Sequence, residues 1–378
     1  MRFYFLRKLD LYLGKFCNRV FPQSVFKNAH IKFIYKKIFL IKLWGLGNLA
    51  IIWPLIYKIK ERYPNSSISF LTFDLNKGFL ESNEAIDKII YFKFTRNIFK
   101  MIIQAFSILV FLRKEKIDVA INFETFNFSS ALFAYLTKAS LRIGLNNNYE
   151  KTFYNYWIDS NPALHTTQKF LSLLKYIDIS SPYSYFNFKE LRGEGNGAGN
   201  ILKNIGVDRF ICIHPGTSIN CEQGRRWKAS SFSKLSNMLI EYYNMPLIFT
   251  GSKKEKSLNT VIIKGIVKRN RVFDLSGSLG IWEFIELLER GSMLISNDTG
   301  PVHLAASLGV NTATFYGQSS PERCRSLRQN SLIFYKNLKC SPCDIAGRIN
   351  TKCSNNFKCL DFSPQEVFLK ITEKFFMV

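Results

Sequence analysis

The chain has 378 residues, 47% hydrophobic and 21% charged, too apolar for bulk disorder and too long for one comfortable core, so two globular domains are expected. Lys and Arg number 52 against 28 Asp and Glu, a formal charge of +24, which fits a polyanionic partner (nucleic acid, an anionic membrane surface, phosphorylated glycans or nucleotides) or a solvated basic surface shaped by coding bias. No stretch reaches the roughly 18 apolar residues that span a bilayer; the best, 101–112 and 43–57, are short, and the second holds Gly, Asn and Pro. Residues 1–37 then form a basic extension with nine Lys or Arg and one acid, interleaved with aromatic and aliphatic side chains. This leader lacks the unbroken apolar centre of a secretory signal, so the chain is expected to stay in the cytoplasm.

Residues 37–43 read as a buried strand, a short apolar run followed at once by glycines. A helix starting near Asn48 presents Ile51, Leu55 and Ile59 on one side and stops at Tyr63-Pro64-Asn65, because proline cannot continue it. Strands follow at 67–73, 88–92 and 118–123, with helices at 98–113 and 129–138. Strand alternating with helix implies a parallel sheet. Between 180 and 200 the pattern fails at Gly193-Glu194-Gly195-Asn196-Gly197-Ala198-Gly199, a flexible composition with little to bury. That divides the chain into a Rossmann-like domain over 38–190, a linker over 191–200 and a second Rossmann-like domain over 201–378. In the second domain strands are expected at 209–214, 245–250, 272–275, 293–296 and 311–316, and helices at 230–243, 254–267, 281–290 and 302–308. Two doubly wound α/β domains facing across a cleft is the architecture this order favours.

In such sheets ligands bind beyond the carboxyl ends of the strands, where loops enter helices. The sharpest junction is Ser296-Asn297-Asp298-Thr299-Gly300-Pro301-Val302-His303, a helix start whose free N–H groups suit a diphosphate. Asp298 or Thr299 could instead simply cap the helix, but a cap needs neither the glycine nor His303. A second junction, His214-Pro215-Gly216-Thr217-Ser218 with Gly224-Arg225-Arg226-Trp227, offers hydroxyls, a close-approach glycine and two guanidiniums to phosphate oxygens. Trp227 alone reads better as a packing anchor. The first junction, Trp44-Gly45-Leu46-Gly47-Asn48-Leu49, lacks the third glycine of a dinucleotide fingerprint.

Together the segments Lys42-Leu43-Trp44-Gly45-Leu46-Gly47-Asn48 with Pro54, 214–218 with Arg225-Arg226-Trp227, and Asp298-Thr299-Gly300-Pro301 with His303 resemble glycosyltransferase family 9, the lipopolysaccharide heptosyltransferases. The resemblance runs from about Lys37 to the C-terminus. It implies a GT-B fold, an inverting transfer that requires no metal, a nucleotide-diphosphate heptose donor such as ADP-heptose on the C-terminal domain, and a lipid-anchored glycan acceptor on the N-terminal one. Carried over, Thr217, Ser218 and Arg225 would hold donor phosphates, Asp298, Thr299, Gly300 and His303 the diphosphate-sugar, and Glu255 the ribose. An acceptor of that kind favours reading the basic leader as a contact with the anionic inner face of the cytoplasmic membrane, rather than as a solvated tail.

One departure matters. The family places Asp where this chain has Asn48, as general base for the acceptor hydroxyl, and an amide has no basic oxygen of useful pKa. Asn48 can orient that hydroxyl; the proton would go to Glu124 or Asp74, each at the end of a strand, or the chain is a non-catalytic nucleotide-sugar binder. A protein acceptor is a further alternative. Cys340, Cys343, Cys353 and Cys359 have nearly tetrathiolate spacing, which fits a structural zinc or iron as well as free or redox-active thiols. Cys17, Cys212, Cys221 and Cys324 stand apart from that group. Nothing resembles a nucleic-acid recognition helix or RNA-binding sheet, so no nucleic-acid partner is expected.

Overall fold

The structure, a computed structural model, describes residues 10, 12, 34–95, 97–125, 127–146, 150–161, 163–191, 197–217, 222–343 and 353–376. Most of the basic leader, Ser218, Cys17, Cys221 and residues 192–196 of the expected linker lie outside the described residues. By packing, the chain divides into two units between Ser184 and Tyr185, upstream of the glycine-rich run.

The first unit is a six-stranded parallel sheet in the order β3-β2-β1-β4-β5-β6: β1 Lys37–Ile41, β2 Ser67–Phe73, β3 Lys88–Phe92, β4 Val119–Asn122, β5 Leu141–Asn146 and β6 Tyr156–Asp159. Its helices are α1 Leu46–Arg62, α2 Ile98–Glu115, α3 Phe128–Leu136 and α4 Thr166–Leu174. Helices cover both faces of the central strands, so β1, β2 and β4 are buried almost without a break and read as continuous apolar runs. α1 ends at Tyr63, whose N–H reaches back to the Ile59 carbonyl. Asn97 caps α2 by accepting from the Phe99 and Lys100 N–H groups.

The second unit repeats the design: β7 Ile211–His214, β8 Leu247–Phe249, β9 Val272–Asp274, β10 Met293–Asn297, β11 Asn311–Tyr316 and β12 Ser331–Tyr335, again all parallel, in the order β12-β11-β10-β7-β8-β9. α5 Gly197–Ile205, α6 Glu222–Arg225, α7 Ala229–Tyr243, α8 Lys256–Lys264, α9 Ile281–Arg290, α10 Gly300–Leu308, α11 Pro321–Cys324 and α12 Pro364–Phe375 complete it. Trp227 stacks on Phe315 at 4.2 Å between ring centroids and is fully buried, the packing role its sequence context favours. Numbered from its own first strand, each unit has the order 3-2-1-4-5-6, and in each the direction of winding reverses between the first and fourth strands. That reversal is where such sheets open a crevice at their carboxyl edge.

Several boundaries differ from the sequence reading for traceable reasons. β1 stops at Ile41 instead of 43 because the N–H groups of Leu43 and Trp44 turn to the Glu124 carboxylate. α1 starts at Leu46, before Asn48, since Gly45 takes φ 90° and turns the chain into the helix early. α8 starts at Lys256, after 254, because the Glu255 carboxylate folds back onto Ser252. α10 begins at Gly300, not 302. The segments β5, β6, α4, β12, α12 and the short α6 and α11 were not read from the sequence, and α5 begins at Gly197, inside the stretch 191–200 expected as a flexible linker. In β5 the cause is Gly144, which breaks the apolar run yet is required: a Cβ there would lie 2.2 Å from the Tyr154 ring.

Candidate functional site

In the second unit the reversal lies between β7 and β10, and the exit loops of both strands meet there. Asn297, the last residue of β10, is fully buried. Its Nδ2 donates to the Pro215 carbonyl at 2.7 Å, and its Oδ1 accepts from the Trp227 N–H at 2.9 Å. One amide therefore holds the loop after β7 and the loop after α6 in fixed register. Ser296 adds a bond to the His214 carbonyl at 3.1 Å and shares a contact with the Thr299 hydroxyl at 3.0 Å. The sequence includes Ser296 and Asn297 in its sharpest junction but gives neither a contact of its own; both are polar residues ending an otherwise apolar strand.

The glycines of this region are dictated by contact. A Cβ at Gly216 would fall 1.9 Å from Glu255 Oε1, so the Glu255 carboxylate lies directly on the loop that carries Thr217. Its Oε2 accepts from the Ser252 N–H and hydroxyl at 2.7 and 2.8 Å. A Cβ at Gly224 would meet Gln318 at 1.9 Å, while the Gln318 N–H donates to the Gly224 carbonyl at 3.0 Å. The loops after β7 and β11 are thus interlocked.

Against this rigid frame stand groups with bonding capacity to offer. Thr217 is 5% exposed, and its hydroxyl has no hydrogen-bond partner among the described residues, an arrangement unfavourable to the folded chain by itself. Thr299 occupies the N-cap position of α10, but its side chain makes no cap bond; the hydroxyl turns instead to Ser296 and the Asn297 carbonyl. The simple capping role is therefore not the one adopted, and the positive end of α10, with Gly300 and Pro301 opening it and His303 in its first turn, carries no side-chain anion. Arg225 Nη1 lies 3.8 Å from Asp298 Oδ2, and the Cys324 thiol faces Asp298 Oδ1 at 3.5 Å. Burial, with the Asp298 charge second, pushes the Cys324 thiol well above its ordinary range, so it stays protonated and keeps donating. Asp298, held from both sides, fixes the direction of Arg225 and offsets part of its charge. Behind these loops His214 Nδ1 lies 3.1 Å from the Thr250 hydroxyl; burial lowers its pKa and the Glu255 charge opposes that shift. Of the residues expected to hold a donor, Thr217, Arg225, Glu255, Asp298, Thr299, Gly300 and His303 all belong to this loop system.

In the first unit the reversal lies between β1 and β4. Lys42, the residue after β1, is 1% exposed, and its ammonium meets Glu124 Oε2 at 3.0 Å. Glu124, 6% exposed, accepts through Oε1 from the Leu43 and Trp44 N–H groups at 2.6 and 2.9 Å. Three donors thus converge on this carboxylate, one of them a full charge. Asn76 secures the same turn through the Leu43 carbonyl at 3.0 Å. Asn48 sits half-buried in the first turn of α1, and Asp74 is exposed in the short 3₁₀ turn after β2. Lys42 was visible in the sequence only as part of a run; a lone charge ending a buried strand is the signal that marks it.

The four C-terminal cysteines influence one another electrostatically. Burial, then the nearby Cys343, Cys353 and Cys340 thiols, push Cys359 up to about 11. Cys340 accepts from Asn355 Nδ2 at 3.2 Å and Cys353 from the Phe357 N–H at 3.3 Å. Among the described residues no group of three or more His, Cys, Asp or Glu is arranged to hold a metal ion.

The profile of glycosyltransferase family 9 (heptosyltransferase) matches residues 106–353. Lipooligosaccharide heptosyltransferase 2 of Campylobacter jejuni is 26% identical over 351 residues, covering 88% of this chain and 96% of that protein. Among solved structures, the glycosyl transferase family 9 protein of Veillonella parvula superposes with TM-score 0.75 at 18% identity, covering 90% of this chain and 97% of that one. The E. coli ADP-heptose lps heptosyltransferase II gives TM-score 0.71 at 17% identity, over 90% and 98% of the two chains.

Proposed function

The chain belongs to glycosyltransferase family 9, and we propose that it moves a heptose, with inversion, from a nucleotide-diphosphate donor to a lipid-anchored surface glycan of the lipopolysaccharide type, at the inner face of the cytoplasmic membrane. ADP-heptose is the donor this reading favours, since two of the relatives named above are heptosyltransferases and one of these is named for ADP-heptose. The observation that carries it is the combination of an uncapped α10 N-terminus with the Arg225 guanidinium and the buried, unpartnered Thr217 hydroxyl. These are donors converging on one end of a helix, and a diphosphate fits them because its oxygens can accept from the Thr217 hydroxyl and the α10 N–H groups while its charge complements Arg225.

In this reading Thr217 and Arg225 hold the diphosphate, with Ser218 of the same loop. Gly300 and Thr299 open the helix end toward it, His303 meets the sugar side, and Glu255 holds the ribose. As the glycosidic bond to the diphosphate breaks, negative charge grows on the leaving oxygen, and the helix end and Arg225 stabilise it without reorganising. The acceptor proton is assigned to Asp74 ahead of Glu124, because the Glu124 oxygens already accept three hydrogen bonds while Asp74 is exposed. Asn48 orients the hydroxyl. No metal has a part in the proposed chemistry.

Incubation with ADP-heptose and lipid A–core acceptors, following ADP release, tests the reading; ADP binding without turnover on any acceptor would sink it. Asn48 itself favours a second reading, a donor-binding relative that no longer transfers. Asn48→Asp separates the two. Turnover that emerges only in that variant supports the lapsed enzyme, whereas loss of existing turnover gives Asn48 a part of its own.

A further inference from the structure

Residues 101–112, too short to cross a membrane, lie within α2, and no helix among the described residues is long and apolar enough to span one. α2 contributes only Ile108 and Leu112 to the buried core. Its opposite face is open: Phe99 is 72%, Ile102 58%, Ile103 64% and Phe106 65% exposed, with Ile98 and Val110 exposed beside them. At the helical repeat these six fall within an arc of about 140°. Exposed apolar residues on a soluble protein are ordinarily scattered, and a contiguous stripe marks an interaction surface.

The charges around the stripe decide what it meets. From residue 93 to 116 the sequence holds six Lys or Arg and one acid, and that acid, Glu115, is paired with Lys37 at 3.1 Å. Lys93, Lys100, Arg113, Lys114 and Lys116 are exposed around the two ends of α2. Lys100 lies in the first turn, which contains no acidic residue; a cation there opposes the helix dipole, so helix stability does not explain it. A second copy of the chain would bring the same cations against these and be repelled. An anionic bilayer satisfies both halves of the surface at once, taking the aromatic and aliphatic side chains below the headgroups and the ammonium groups among the phosphates.

We propose that α2 is the membrane-docking element of this protein, lying in the headgroup plane of an anionic leaflet with Phe99, Ile102, Ile103 and Phe106 inserted. The inference rests on the proposed function for its purpose, delivery of the first unit to a lipid-held acceptor, but its test reads lipid binding alone. The full-length chain is sedimented with vesicles of phosphatidylcholine and with vesicles containing phosphatidylglycerol, and ADP binding is measured on the same protein. Binding to the anionic vesicles only, weakened at least about tenfold by Phe99→Ser/Ile103→Ser/Phe106→Ser at unchanged melting temperature, supports it. Lys100→Glu/Lys114→Glu, which touches no apolar contact, is expected to weaken anionic binding in the same direction. Three results would overturn it: a triple variant that sediments like the unaltered chain, which assigns the contact to the leader; equal binding to both vesicle types; or a change of oligomeric state with lipid binding intact. ADP binding without lipid binding defeats this inference and leaves the transferase reading standing, and the reverse result does the opposite.

Discussion

The two sheets share one strand order, yet their reversal points have been completed in opposite ways. In the second unit the exit loops of β7 and β10 present a helix end without a side-chain cap, a guanidinium paired with Asp298, and a buried hydroxyl without a partner among the described residues. In the first, the exit loop of β1 presents two N–H groups and an ammonium, and the chain's own Glu124 takes all three. The Glu124 carboxylate, from the loop after β4, holds there the place that a bound anion would hold in the proposed donor site. In the proposed function one copy of the fold offers its donors to a ligand, whereas the other turns the corresponding donors onto its own carboxylate and becomes a fixed platform.

The largest effect is expected from emptying the filled site. Glu124→Gln leaves the Lys42 charge buried without compensation and should cost about 3–5 kcal/mol of first-unit stability, read as an earlier unfolding transition. Lys42→Met/Glu124→Gln should recover much of that loss, and equal melting of the single and double variants would break the comparison. Arg225→Met should weaken ADP binding about 10–100-fold by calorimetry while melting stays unchanged without nucleotide. Thr217→Val sharpens the point: removing an unpartnered buried hydroxyl should leave stability equal or higher, yet reduce ADP affinity about 3–10-fold. A destabilised variant with normal affinity would show that the hydroxyl serves the fold.

The smallest effect is a pH dependence. His214 has its pKa lowered from 6.5, chiefly by burial, so below that value the unfolded chain binds a proton that the folded chain refuses. Its contribution is present at neutral pH and is lost as pH falls from 6.5 toward the lowered value. The second-unit melting temperature should therefore drop between pH 7 and 5, and His214→Gln should flatten that part of the profile.

Much of this was legible in the sequence wherever one run of residues carried the signal. The strands at 67–73, 88–92 and 311–316 and the helix at 281–290 match the observed bounds, because their apolar pattern is local and their ends are marked. The junction after β10 was legible as a short polar run opening a helix. The three-donor hold on Glu124 was not: Lys42 and Glu124 are 82 positions apart, and a carboxylate closing a strand looks the same whether it awaits a proton or is already satisfied. Nor was the exposed face of α2, since Phe99, Ile102 and Phe106 have the spacing of a core-facing stripe, and only the structure shows that the core lies on the other side.

The Asn297 amide has a consequence for how the loops after β7 and α6 open. Because it grips the Pro215 carbonyl with one atom and the Trp227 N–H with the other, neither loop can detach without stranding a buried polar group of its neighbour. Local opening of one loop alone is thereby suppressed. The Trp227 amide hydrogen should exchange with deuterated solvent only as slowly as the second unit unfolds as a whole, making it a reporter of global stability placed at the edge of the binding site.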